Sequence, residues 1–180
     1  LLLIILAKGY LSQNMNSLYG GAGIGKTHLL QAIGHQAIEN NPECRVMYIK
    51  TDEFVNELLV SIFNDNSSLF YEKYSKIDIL LFDDFQLTDG KERTQEELFR
   101  IFSNLLEKNK RLAIASRTAP GSLQFMGSPA SSSINIGLIA DIKPPDYEAR
   151  VAILKKNCEL ENIKVSEEAI EHIAKEITSN

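Results

Sequence analysis

Residues 20–27 read GGAGIGKT and satisfy the spacing GxxxxGKT in full. A chain carrying this octet has to bend sharply out of a strand and start a helix whose first turn is aimed at an anion. Gly20 and Gly25 let the backbone double back with its N–H groups pointing inward, so that several of them donate to one phosphate chain. Lys26 brings a mobile positive charge to the β and γ phosphates, Thr27 offers a hydroxyl to Mg²⁺, and the helix that follows presents its partially positive end. The nucleotide-contacting set is therefore Gly20, Gly21, Ala22, Gly23, Ile24, Gly25, Lys26, Thr27 and His28. A glycine-rich turn that merely preceded a helix would not need four positions fixed at this spacing.

The remaining pattern is that of strands alternating with helices. Leu29, Leu30, Ile33 and Ala37 recur at helical spacing and stop before Asn40, Asn41 and Pro42. Residues 45–50 (RVMYIK) form a short β-prone run, and Thr51 or Asp52 is placed to cap a helix carrying Phe54, Val55, Leu58, Leu59 and Ile62. After a polar break at 64–68, a short helical piece runs through Tyr74. Residues 77–82 (IDILLF) look like a strand buried on both faces and ending in two aspartates. Thr94 and Glu97 match a TxxE capping box before a long amphipathic helix with Leu98, Ile101, Phe102, Leu105 and Leu106. LAIA at 112–115 is the next strand, 136–140 a final one, and helices are expected from Pro144-Pro145-Asp146 towards Glu161 and from Ser166 to near Ile177. The stretch 118–135, rich in Ser, Gly, Ala and Pro, shows no usable periodicity. The expected fold is α/β, a doubly wound parallel sheet sandwiched by helices over 1–140, followed over 141–180 by the start of a small helical lid.

Size and charge narrow the class. With 180 residues and 44% hydrophobic content the chain can bury one principal core. A net charge of −5 and a pI near 5.3 repel nucleic acid from the surface as a whole, so any DNA contact has to come from a local basic site. Cys44 and Cys158 lack metal-ligand spacing and read as free thiols of a reducing cytoplasm. The apolar opening LLLIILA is far short of the ~20 residues of a membrane span and lacks the basic leader of a secretory signal.

Hydrolysis of a bound nucleotide asks for a carboxylate to hold the metal and a polar group to position or deprotonate water. LLFDDF offers both: Asp83 for Mg²⁺, directly or through water, and Asp84 as the base. With Lys26, Asp84 completes the catalytic set, while Thr27 and Asp83 form the metal pair. From the strand after the base, Ser116, Arg117 or Thr118 could sense the γ phosphate.

YGGAGIGKTHLLQAIGHQ, the DEFVNEL helix, LLFDDFQ and GKERTQEELFRIFSNLLE, in that order, resemble the AAA+ ATPase core of the bacterial replication initiator DnaA family. PPDYEARVAIL and AKEITSN resemble the start of that family's lid. The resemblance implies ATP or ADP with Mg²⁺ as cofactors, self-assembly into a filament or contact with other replication proteins, and opening of the duplex at the replication origin. It also implies a grip on single-stranded DNA at the helix pair from Phe54 to Tyr74 and after the second acidic motif, mapping onto Leu59, Lys91 and Arg93. One apolar side chain against sugar or base and two cations against phosphate make a minimal single-strand contact. Three departures accompany it: NMNSL stands where the family has an apolar strand, LLLIILAKGYLSQ stands at the adenine side, and FMGSPASSSINIG stands where the family carries an arginine finger. No arginine lies between Arg117 and Arg150, which predicts weak hydrolysis. A regulatory or helicase-loading relative, or a catalytically silent interaction module, remain the other readings.

Overall fold

The computed structural model describes residues 14–85, 92–119 and 137–178. The expected features at 1–13 and 120–135 lie outside them. Among the described residues the order is β1 (Met15–Tyr19), α1 (Lys26–Asn40), β2 (Val46–Lys50), α2 (Thr51–Phe63), α3 (Ser67–Ser75), β3 (Ile79–Phe85), α4 (Glu92–Glu107), β4 (Arg111–Ser116), β5 (Leu138–Asp141), α5 (Tyr147–Leu160) and α6 (Glu167–Glu176). The strands lie in the order β2-β3-β4-β1-β5, and each neighbouring pair is parallel. The chain thus leaves β1 for the far edge and returns to its side at β4; sheets of this kind bind ligands where that order reverses, at the carboxyl ends of the strands.

Strand alternation divides the core into two faces. Leu80, Phe82, Leu112 and Ile114 point to one side, where Phe54 and Leu58 of α2, Phe70 and Tyr74 of α3 and Phe102 of α4 cover them. Edge-on aromatic pairs run through this layer, Phe54 with Phe82 at 5.6 Å and Phe82 with Phe102 at 5.4 Å between centroids. Leu81, Ala113 and Ala115 point the other way, onto Leu29, Leu30, Ile33 and Ala37 of α1. The small alanines let α1 lie close to the sheet, which fixes the phosphate loop just before it. The weakly apolar run NMNSL supplies, from Met15 on, most of β1 (MNSLY), paired with β4 on one side and β5 on the other, with Met15 and Leu18 buried.

Three expectations need correcting. The helix after RVMYIK is capped at Lys50, whose N–H donates to Glu53 at 3.3 Å; the Thr51 hydroxyl is drawn instead to the carbonyls of Asp83 and Asp84. The TxxE match is no cap, because α4 already begins at Glu92. Glu97 accepts the Tyr71 hydroxyl and pairs with Arg100 at 3.2 Å, and the Arg100 guanidinium sits 3.9 Å from the Tyr71 ring centre. The third concerns the bounds of β3, which starts at Ile79 rather than 77 and, past the two aspartates expected at its end, runs on to Phe85. After β5, Asp146 caps α5 and Ser166 caps α6, each side chain accepting from the N–H three residues on. Arg150 ties the two helices by donating to the carbonyls of Ala174 at 2.7 Å and Pro145 at 2.9 Å.

Candidate functional site

The phosphate loop is a direct continuation of β1. Gly20 N–H donates to Ser116 O at 3.3 Å and Ile142 N–H to Tyr19 O at 2.8 Å, so β4 and the end of β5 hold both sides of the exit. Gly20 has φ +149, and a Cβ there would overlap the carbonyl oxygen of Ile142 and the side chain of Ile24. Gly25, with φ +96, is the residue before α1 and leaves the first-turn N–H groups unobstructed. Gly21, Ala22 and Gly23 are exposed, Ile24 and Gly25 half-buried, and His28 lies exposed on the first turn of α1.

Lys26 is buried beneath this loop, 7% exposed, and its Nζ donates to Gly20 O at 2.8 Å and to Gly21 O. Burial lowers its pKa from the usual lysine value, Asp84 and Asp83 push it back up, and Arg117 adds a smaller lowering. Beside Lys26 the Thr27 hydroxyl donates to Asp83 Oδ2 at 2.7 Å. Asp83 is 1% exposed and takes two further donors: the Tyr48 hydroxyl at 2.8 Å, also on Oδ2, and the Asp84 N–H at 2.8 Å on Oδ1. Burial and Asp83 together raise the Tyr48 phenol far above its ordinary range, so Tyr48 is a donor at any working pH.

Asp84 leaves the strand in a different way. Phe82 pairs with Ile114 but Phe85 with Ser116, three steps on β3 against two on β4, so one extra residue sits in the acidic pair. Asp84 absorbs it with φ +51 and is exposed, while Asp83 on one side and Phe85 on the other stay buried. The two acids therefore point apart. Of the three candidates at the end of β4, Ser116 is the strand's last residue, buried with its hydroxyl committed to Thr118 O at 2.6 Å, whereas Arg117 and Thr118 follow it and are exposed.

Lys26, Thr27, Asp83 and Asp84 are thus gathered around one loop. Leu59 is elsewhere, on the outer side of α2, 55% exposed and close in sequence to the exposed Val60 and Phe63. Arg93 belongs to the first turn of α4, and its side chain and all of Lys91 lie outside the described residues. Sequence reasoning missed Tyr48 and Thr51. The signal was an aromatic hydroxyl and a threonine flanking the end of a short strand, a pattern that says nothing until β2 is known to lie in register with β3, Lys50 opposite Asp83.

A nucleotide with a divalent cation fits these residues. Among the described residues no cluster of three or more His, Cys, Asp or Glu could hold a metal alone. The Thr27 hydroxyl and Asp83 carboxylate, side by side under an anion-binding loop, are the hard oxygen donors that Mg²⁺ takes when phosphates complete its shell. No helix among the described residues is long and apolar enough to cross a membrane.

Known proteins share this fold. Domain III of the Thermotoga maritima replication initiation protein DnaA is 38% identical, with a TM-score of 0.88 over 99% of this chain and 75% of that one. A replication initiator DnaA bound to AMPPCP and single-stranded DNA is 30% identical, with a TM-score of 0.80 over 97% of this chain and 56% of that one. AMPPCP-bound DnaA from Aquifex aeolicus is 30% identical, with a TM-score of 0.80 over 98% and 55%. The chain spans little more than half the length of these last two. The family described as the bacterial DnaA ATPase domain matches residues 6–141, from before β1 to the end of β5. A parallel AAA+ sheet with the phosphate loop, the acidic pair and this match in one chain leaves a single assignment: it belongs to the bacterial DnaA ATPase domain family.

Proposed function

We propose that this chain binds ATP with Mg²⁺, hydrolyses it slowly, and is the ATPase core of a replication initiator that engages single-stranded DNA and assembles with copies of itself or with other replication proteins in the cytoplasm. The observation that carries the reading is the 2.7 Å hydrogen bond from Thr27 to Asp83 directly beside the Lys26 loop, which unites the two halves of a metal–nucleotide site. The solved relative holding AMPPCP and single-stranded DNA supports the ligand class.

The roles follow from chemistry at each atom. Loop N–H groups from Gly21 to Thr27 receive the phosphates, and Lys26 Nζ exchanges its carbonyl partners for phosphate oxygens. Thr27 Oγ1 has lone pairs for the cation while its O–H goes on donating to Asp83, and the Asp83 carboxylate supplies negative charge to the same cation. Mg²⁺, when bound, neutralises developing charge on the β and γ oxygens. Asp84, turned outward by its bulge, positions or deprotonates the attacking water, and Arg117 reaches the γ phosphate. The absence of arginine from 118–149 sets turnover low, because family members supply a charge-stabilising arginine from that stretch. Residues 1–140 act as the nucleotide-binding domain and 141–180 as the beginning of a lid. Leu59, Lys91 and Arg93 contact DNA.

Calorimetry with Mg-ATP tests the core of this. The parent chain binds, and the double variant Lys26→Ala, Asp83→Asn does not; binding that survives both changes removes the site from consideration. Phosphate release, with and without single-stranded DNA, then separates an ATPase from a silent module: a parent rate equal to that of Asp84→Asn overturns hydrolysis while leaving nucleotide binding intact.

A further inference from the structure

We infer that Tyr48 is a positioning residue for the metal-binding carboxylate: its hydroxyl fixes the orientation of Asp83 and thereby sets how tightly the cation of a bound nucleotide is held. This rests on the Mg-ATP reading above and goes beyond it by adding a residue from a different strand.

The geometry carries it. The terminal torsion of an aspartate is broad, so nothing intrinsic to the side chain fixes its carboxylate plane; neighbouring donors must do so. Among the described residues Asp83 has three, from three elements: Thr27 on α1, Tyr48 on β2 and the Asp84 N–H within β3. The last is a local contact that belongs to the bulge. Thr27 faces the nucleotide and its oxygen is committed to the cation when one is present. Among the described residues, Tyr48 alone reaches the carboxylate from the protein side, on the same oxygen as Thr27. Its ring packs with Val46 against the α1 face of the sheet, while Ile49 joins the opposite face, so the phenol is held by core packing rather than by the ligand. A hydroxyl donating to a charged acceptor is short and strong. Partners of this kind, one bond removed from a metal, orient its ligands and govern its affinity.

Tyr48→Phe keeps the ring and removes only the donor. In equilibrium titrations with a fluorescent ATP analogue, the variant is expected to need about 10–100-fold more Mg²⁺ for half-maximal binding. Binding of the same analogue in EDTA should equal that of the parent, and phosphate release should recover at saturating Mg²⁺. Tyr74→Phe serves as the control, since it removes another buried phenol donor, to Glu57 at 3.2 Å, on the far side of the sheet. An unchanged Mg²⁺ curve for Tyr48→Phe overturns the inference. So does a loss equally large in EDTA, or one that Tyr74→Phe reproduces, because each marks a general structural effect. A parent chain that binds no nucleotide overturns the function itself and this inference with it, whereas a parent that binds normally beside an unaffected variant overturns only the inference.

Discussion

At the scale of single residues, the site is made by one irregularity. In a regular strand the alternation that sends Leu80 and Phe82 towards the aromatic layer would send Asp84 there too and turn Phe85 towards α1. The extra residue reverses this, so Phe85 rejoins Phe82 and Phe102 while Asp84 is turned out to the surface. A left-handed aspartate costs on the order of 1 kcal/mol, a small sum against placing an unpaired charge among phenylalanines. Because Asp84 sits outside both the loop and the metal pair, Asp84→Asn is expected to leave ATP affinity within about threefold and to cut turnover roughly 10²–10⁴-fold, read by calorimetry and phosphate release on one preparation. Gly20→Ala should behave in the opposite way: its Cβ overlaps the Ile142 carbonyl at φ +149, so the loop itself shifts and affinity falls together with thermal stability. Retention of parent affinity in Gly20→Ala would show that the loop does not grip through this conformation. That GGAGIGKT lies at a strand-to-helix turn and LLFDDF on a buried strand was legible because local spacing marks both. The bulge was not, since an extra residue exists only relative to the partner strand, and Tyr48 was hidden for the same reason.

At the scale of elements, hydrophobic periodicity located the helices and strands, and errors fell where a side chain found a tertiary partner instead of a local one. Leu98, Ile101, Phe102 and Leu105 recur at helical spacing, and all four are buried beneath α4. Thr94 and Glu97 matched a capping box, yet Glu97 is claimed by Tyr71 of α3 and Arg100, a contact no window of sequence reveals. Thr51 was likewise claimed by the carbonyls of β3. The two accounts of Thr94 differ measurably. As a cap its replacement by alanine would cost about 1 kcal/mol; within a helix already under way, alanine is the better helix former, and Thr94→Ala should change stability by less than about 0.5 kcal/mol in urea unfolding. Phe82→Ala should instead cost about 3–5 kcal/mol, because it removes the ring on which Phe54, Phe85 and Phe102 all pack.

Across the whole molecule, the sheet is pinned at both ends by an aspartate of the β3 segment. At the carboxyl ends Asp83 collects Thr27 and Tyr48. At the amino ends Asp78, just before β3, accepts from the backbone N–H and guanidinium of Arg45 and from Lys110, joining the approaches to β2, β3 and β4. The partners are 33 and 32 residues away, so no local pattern marks Asp78 as more than a solvated charge. Hydrogen bonds from Arg45 and then Lys110 hold its carboxyl well below the ordinary carboxylate range, set against an unperturbed value of 3.8. A carboxyl whose pKa is depressed by folding adds stability that is complete above its unfolded value and drains away as pH falls towards the folded one. Asp78 remains partly exposed at 28%, so solvent screening limits the contribution at pH 7 to roughly 1 kcal/mol. Asp78→Asn should therefore be less stable than the parent at pH 7, and the gap should begin to narrow below about pH 5 and shrink further towards pH 3 as the unfolded parent takes up its proton. Urea unfolding of both proteins across that range measures it, with a repeat in 1 M NaCl expected to reduce the pH 7 gap. A gap that widened in acid would mean that Asp78 is held protonated in the fold, the reverse of what two cations at its oxygens require.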